Sequence, residues 1–182
     1  MKLLICSDIH GDFECAKRAL DTFKAEGCDK LVIPGDLLSH GPRNDLPGAY
    51  APKSVIALLN ENKEYIISVR GNCDTEVDQM VLDFPILADY SYLYVDGLSI
   101  FMTHGHKFNT ETPPKLLPGE IMLHGHTHIP TVVEFGNANF YINPGSVSLP
   151  KACSDKGYII YEDREFTYLT LDGAVYDVLD LK

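Results

Sequence analysis

The sequence predicts an α/β fold of layered sheets within one domain, residues 1–182, and three observations carry that prediction. In the first half, short apolar runs alternate with helical patterns, the signature of right-handed crossovers and a parallel sheet. From Tyr90 onward the texture changes to brief β-rich runs joined by tight turns such as Asp96-Gly97, which reads as a second, hairpin-rich sheet. No linker, fixed-period repeat or low-complexity tract divides the halves, so they are expected to pack as layers of one domain.

Lys2 to Cys6 is the first apolar run, and it ends in Ser7-Asp8-Ile9-His10-Gly11. Asp12 is placed to cap a helix whose apolar face runs through Ala16, Ala19, Leu20 and Phe23 to Gly27. Lys30 to Ile33 is the second strand, stopped by Pro34-Gly35-Asp36, and Ser39 to Pro52 reads as a long surface loop of the kind that often carries function. Ser54 to Asn62 looks helical. Tyr65 to Val69 is the third strand, expected to be buried, and Gly71-Asn72-Cys73-Asp74 follows it. Tyr92 to Val95, Leu98 to Thr103, Ile121 to Leu123, Thr131 to Phe135, Asn139 to Ile142, Gly157 to Tyr161 and Phe166 to Leu171 supply the later strands.

Composition restricts the function. Apolar residues make up 45% and charged residues 23% of 182, the balance of an ordinary globule. Fifteen basic against 26 acidic residues give a net charge of −11 with no basic cluster, so long nucleic acids are expected to be repelled. Five cysteines without a C-x-x-C pair argue against a disulfide framework and for a reducing, cytoplasmic compartment. Polar residues interrupt the apolar start before a signal segment is complete, and no run is long enough to cross a bilayer.

The chemistry lies where the strands stop. Asp8-Ile9-His10, Gly35-Asp36, Gly71-Asn72, His104-Gly105 and Gly125-His126-Thr127-His128 each end an apolar run with a group able to hold a metal. In parallel sheets such positions line the ligand crevice. Asp8 with His10, and His126 with His128, stand two residues apart, so an extended chain would turn both members of each pair to one face. Carboxylate, amide and imidazole without thiolate form the donor set of a catalytic manganese, iron, cobalt or zinc site, and a two-metal clamp suits attack on phosphorus. Asp36 is the expected bridge, since two carboxylate oxygens can span ions about 3.5 to 4 Å apart. Asp8, Asp36 or Asn72 alone would read as a helix cap or turn residue; the recurrence of such groups at five strand ends is what argues for a metal.

The set D-x-H, G-D, G-N-x-D, H-G and G-H-x-H, in this order from Asp8 to His128, resembles the calcineurin-like metallophosphoesterase superfamily. More narrowly, Ser7–Gly11, His40–Asn44, Val69–Asp74, Glu76–Met80, Gly125–Pro130 and Asn143–Ser148 are similar to the bacterial YfcE-type phosphodiesterases, across nearly the whole chain. The resemblance implies a four-layer α-β-β-α sandwich with two mixed sheets and a dinuclear centre between the sheet edges. Manganese is the implied ion, with zinc, iron, cobalt or nickel as alternatives. It assigns Asp8, His10, Asp36 and His128 to one ion and Asp36, Asn72, His104 and His126 to the other. The implied reaction is in-line attack by a metal-held hydroxide on a small phosphodiester. A phosphomonoesterase, or a metal-bound scaffold without turnover, are the alternatives.

One position departs from the superfamily pattern: Cys73 stands where a histidine thought to assist the leaving group is usual. A thiol is the poorer proton donor near neutrality, so diesters with good leaving groups are the expected substrates. Cys73, Asp74 and His104 are the catalytic candidates, and His40, Arg43, Asn72, Cys73 and His106 the substrate-binding ones. Arg43 has the better shape for a phosphate. His124 is expected to be turned by alternation away from His126 and His128, supporting the ligands rather than joining them. Asn143–Ser148 is expected to be a structural turn. Exposed β edges in the second half make a dimer or tetramer plausible.

Overall fold

A computed structural model describes residues 1–182. Strands β1 (Leu3–Ile5), β2 (Lys30–Ile33) and β3 (Ile66–Ser68) pair in parallel through helices α1 (Phe13–Ala25) and α2 (Pro52–Asn60). The Asp12 carboxylate caps α1 by accepting from the Cys15 N–H at 3.0 Å, and Ala16, Ala19, Leu20 and Phe23 form its buried face. Helix α2 starts at Pro52 rather than Ser54, because the fixed φ and missing N–H of proline suit the first helical turn.

The last strands correct the expectation for the second half. β9 (Gly157–Glu162), β10 (Glu165–Thr170) and β11 (Val175–Asp180) do not extend the second sheet. They return to the first, where β9 lies antiparallel to β1, giving the order β11-β10-β9-β1-β2-β3. Hairpin patterning fixes neighbouring pairs but not the sheet edge they join. With that side of β1 filled, β3 becomes the opposite edge, and of its residues only Ile66 is buried. β11 itself is mostly exposed and too polar to stand out in the sequence.

The second sheet holds β4 (Tyr90–Val95), β5 (Leu98–Thr103), β6 (Ile121–Leu123), β7 (Pro130–Phe135) and β8 (Asn139–Pro144), in the order β4-β5-β6-β8-β7. Asp96 and Gly97, at φ 48° and 78°, make the tight β4–β5 turn. β5, β6 and β8 are mutually parallel. Both sheets are therefore mixed, the first with its parallel strands on one side and the second with a parallel centre.

Alternate residues of the two sheets meet in a shared core: Ile5, Val32 and Ile159 from one, Ile100, Met102, Leu123 and Ile142 from the other. Helices α1 and α2 cover the far side of the first sheet through Leu20, Phe23, Val55 and Leu59. On the far side of the second, the loop after β5 lays Phe108 and Leu116 on Phe101, Met122 and Tyr141, so this outer layer is made of loop rather than helix. A short helix, α3 (Glu76–Gln79), with a Thr75–Asp78 capping box, was not evident from periodicity. No helix is long and apolar enough to cross a membrane.

Candidate metal centre

The loops leaving β1, β2, β3, β5 and β6 bring all seven expected ligands together, but not by the period-two geometry expected. Asp8, His10, Asp36, His126 and His128 all have left-handed backbones, with φ of 57°, 50°, 56°, 65° and 61°. This conformation costs a non-glycine residue on the order of 1 kcal/mol, and its concentration at one locus marks a functional constraint. Alternation does not explain His124 either, because positions 124, 126 and 128 share a parity. The left-handed turn at His126 is what separates them, leaving His124 buried and stacked on Tyr141 at 4.4 Å between ring centroids.

Close approach of the loops depends on two glycines. A Cβ on Gly71 would collide with the Asp36 carboxylate, and one on Gly125 with Ser7 and the Asp8 carboxylate. The Asn143–Ser148 turn is structural, as expected. The hydroxyls of Ser146 and Ser148 both donate to the Asp8 carbonyl at 2.8 Å, and Asn143 donates to the Gly125 carbonyl at 2.8 Å.

Backbone carbonyls fix the ring tautomers. Nδ1 of His10 lies 2.7 Å from the Ser39 carbonyl, Nδ1 of His104 2.7 Å from that of Pro34, and Nδ1 of His128 2.5 Å from that of Leu149. A carbonyl only accepts, so each Nδ1 carries its proton and each Nε2 turns a lone pair inward. These lone pairs meet other acceptors. Nε2 of His10 and His128 are 3.1 Å apart, and Nε2 of His104 is 3.1 Å from Oδ1 of Asn72, whose amide nitrogen points to Cys73 Sγ. Oδ1 of Asp8 is buried without a hydrogen-bond donor, 3.3 Å from His128 Nε2 and 3.6 Å from His10 Nε2. Acceptors in such contact need a cation or a shared proton among them.

Asp36 sits at the junction. Its Oδ2 is 3.6 Å from His10 Nε2 and 3.3 Å from His104 Nε2, while its Oδ1 accepts from the Cys73 N–H at 2.8 Å. Two lobes thus share one carboxylate oxygen: Asp8, His10 and His128 on one side, His104, Asn72 and His126 on the other.

The electrostatics express the same demand for positive charge. Burial favours a neutral Asp8, but its contacts with His10 and His128 overcome this and hold the carboxyl below its ordinary range. His104 opposes burial in the same way at Asp36. Burial also works against a charged His104, yet Asp36 and Asp8 raise it to about 9. His126 falls to about 4 through burial and the neighbouring His104, which leaves its imidazole neutral and fit to be a ligand.

The structure distributes the remaining candidates unevenly. Arg43 and Cys73 line the open cleft over the centre, together with Asn72 and His126. The cleft also contains Asn44 and Lys151, which sequence reasoning did not single out; neither adjoins a strand end, and Lys151 arrives through the turn anchored by His128. Burial, reinforced by Asp36, pushes the Cys73 thiol up to about 12. His40 does not line the cleft; its ring stands edge-on to Tyr50 at 5.4 Å. His106 lies beside the centre, its ring 5.4 Å from His104 and 6.2 Å from His126, and burial lowers its pKa.

Asp74, expected among the catalytic groups, faces away from the cleft. It is 2% exposed, and its two oxygens accept from the N–H groups of Asp36 and Gly71 at 2.8 Å and of Leu37 at 2.9 Å. With those oxygens engaged it ties the β2 and β3 loops together, and so positions Asp36.

Known proteins share this sequence pattern and fold. The profile of the calcineurin-like phosphoesterase superfamily domain matches residues 1–165. Phosphodiesterase YfcE of Escherichia coli strain K12 is 44% identical over 172 residues, spanning 94% of this chain and 93% of its own. The solved structure of that E. coli phosphoesterase superposes with a TM-score of 0.96 at 42% identity, covering both chains fully. Vps29 of Entamoeba histolytica, crystallised with Zn²⁺, shares the fold with a TM-score of 0.60 at 18% identity, again over the whole of both chains.

Proposed function

Because the chain belongs to the calcineurin-like phosphoesterase superfamily, we propose that it hydrolyses small phosphodiesters at a dinuclear metal centre, as one domain spanning residues 1–182. It is a phosphoric diester hydrolase, an activity supported by 44% identity to a phosphodiesterase over 94% of the chain. The observation that carries the dinuclear reading is the pair of acceptor clusters meeting at Asp36 Oδ2. Each has lone pairs 3.1 Å apart that a divalent cation would satisfy.

In this reading Asp8, His10, Asp36 and His128 hold one ion, and Asp36, Asn72, His104 and His126 the other. Manganese is the favoured ion, with zinc, iron, cobalt or nickel fitting the same nitrogen and oxygen donors. When bound, two such ions supply Lewis acidity at phosphorus and a water acidic enough to attack it near neutral pH. The protein contributes alignment. Carbonyl-anchored imidazoles and amide-anchored carboxylates keep the donors in place, and Arg43 and Lys151 offer positive charge to a phosphate in the cleft.

Cys73 favours diesters with good leaving groups over other esters. A thiol protonates a departing alkoxide less readily near neutral pH than an imidazole does, so substrates that need little protonation are turned over best. Cys73→His should speed unactivated esters more than activated ones; equal rates in both proteins would remove the role. The free cysteines fit a cytoplasmic setting, and exposed Tyr90 and Tyr94 on the β4 edge fit self-association as a dimer or tetramer.

The test is a metal-controlled assay. Chelator-stripped protein should be inactive on bis(p-nitrophenyl) phosphate and recover with Mn²⁺, with the diester turned over faster than p-nitrophenyl phosphate. Full activity after verified metal removal would overturn the mechanism, and a faster monoester rate would favour a phosphomonoesterase.

A further inference from the structure

His126 borders two spaces. One is the cleft with Arg43 and Lys151; the other is a cavity of about 330 Å³ on the far side, between the loop after β5 and the start of β7. The cavity wall includes Asn109, Thr110, Glu111, Thr127, Thr131 and Tyr141. Most of its exposed area is apolar, with four hydroxyl residues and one amide among its lining; no lysine or arginine lines it, and its only carboxylate is that of Glu111.

A buried acceptor also lies beside this cavity. His124 lines it, is 2% exposed, and has an Nε2 atom with no hydrogen-bond partner in the protein. Its Nδ1 faces the Gly125 carbonyl at 3.0 Å and so bears the proton, which leaves Nε2 as a free acceptor. A buried acceptor without a donor is costly unless a ligand or water supplies one.

Given the phosphodiesterase reading, which this inference rests on, the two spaces suit different arms of the substrate. The departing alkoxide gains negative charge in the transition state and is best served by the side bearing Arg43 and Lys151. The arm retained on phosphorus then lies beyond His126. We infer that the cavity is the subsite for that retained arm, and that it selects a cationic alcohol over an anionic one.

Three p-nitrophenyl phosphodiesters test this with the Mn²⁺-loaded protein. They share one leaving group and differ in the retained arm: choline, phenyl, or an alkyl chain ending in a carboxylate. The choline ester should show the highest kcat/KM and the carboxylate ester the lowest. Glu111 is exposed, so Glu111→Lys should keep the fold, as a thermal melt would verify, and lower the choline-to-carboxylate ratio about fivefold. Glu111→Gln should move it the same way by less. A separate variant, Thr131→Lys, brings a cation to the wall and should likewise favour the carboxylate arm.

Turnover of all three esters with ratios unmoved by every variant would overturn the subsite while leaving the hydrolase reading intact. No turnover of any ester by metal-loaded protein would overturn both.

Discussion

The two lobes around Asp36 are built from similar donors but differ in how firmly they are held. In the lobe of Asp8, His10 and His128, all three side chains are buried, both rings are pinned through Nδ1, and the Asp8 carbonyl is clamped by two serines. In the other lobe only His104 has that support. Asn72 is exposed, and the half-buried His126 ring makes no hydrogen bond to the protein. Rigid donors lose less freedom when they bind, so the sealed lobe should hold its ion more tightly and the open lobe should exchange its ion with solvent and substrate. Both lobes reach the cationic cleft, the sealed one through His128, but only the open lobe also borders the cavity beyond His126.

The largest effect is expected at the shared residue. Asp36→Ala removes the oxygen common to both lobes, and kcat/KM on bis(p-nitrophenyl) phosphate should fall at least about a thousandfold, with neither ion retained. If one ion stayed at full affinity, as measured by equilibrium dialysis, Asp36 would not bridge.

Single-lobe variants test the comparison directly. Calorimetric titration of wild type with Mn²⁺ should resolve two classes of site separated by roughly tenfold or more in affinity. His128→Ala should abolish the tighter class. Asn72→Ala should abolish only the weaker one while lowering turnover by about a hundredfold. Loss of the tighter class in Asn72→Ala would show that the lobes are not distinguished by burial and anchoring.

A smaller effect is expected at Asp74, which holds the backbone of Asp36 without offering a donor atom to either lobe. Asp74→Ala leaves the N–H groups of Asp36, Leu37 and Gly71 without their acceptor and should cost about 1 to 3 kcal/mol in unfolding free energy. Metal affinity should drop about 10- to 100-fold through misplacement of Asp36. Unchanged Mn²⁺ affinity in a folded Asp74→Ala protein would confine its role to stability.

Much of this site was legible because its chemistry is local. Strand-ending Asp, His and Asn beside glycine name the donors, and the apolar runs name most of the strands. The N-cap at Asp12 could also be read, since capping involves only its own helix turn. What misled was the assumption of extended backbone: the loops turn left-handed at five of the seven expected ligands, and period two does not describe them.

The sequence by itself determined the candidate donors, the α/β alternation and the family to which the chain belongs, because each depends on residue type and short-range spacing. Only the tertiary structure decided that β9, β10 and β11 complete the first sheet, that Asp74 points inward to three amides, and that Lys151 and Asn44 reach the cleft. Those outcomes depend on which surfaces remain unpaired after the local elements form. Pairing across more than a hundred residues, such as β1 with β9, is settled by burial and hydrogen-bond satisfaction in the whole molecule.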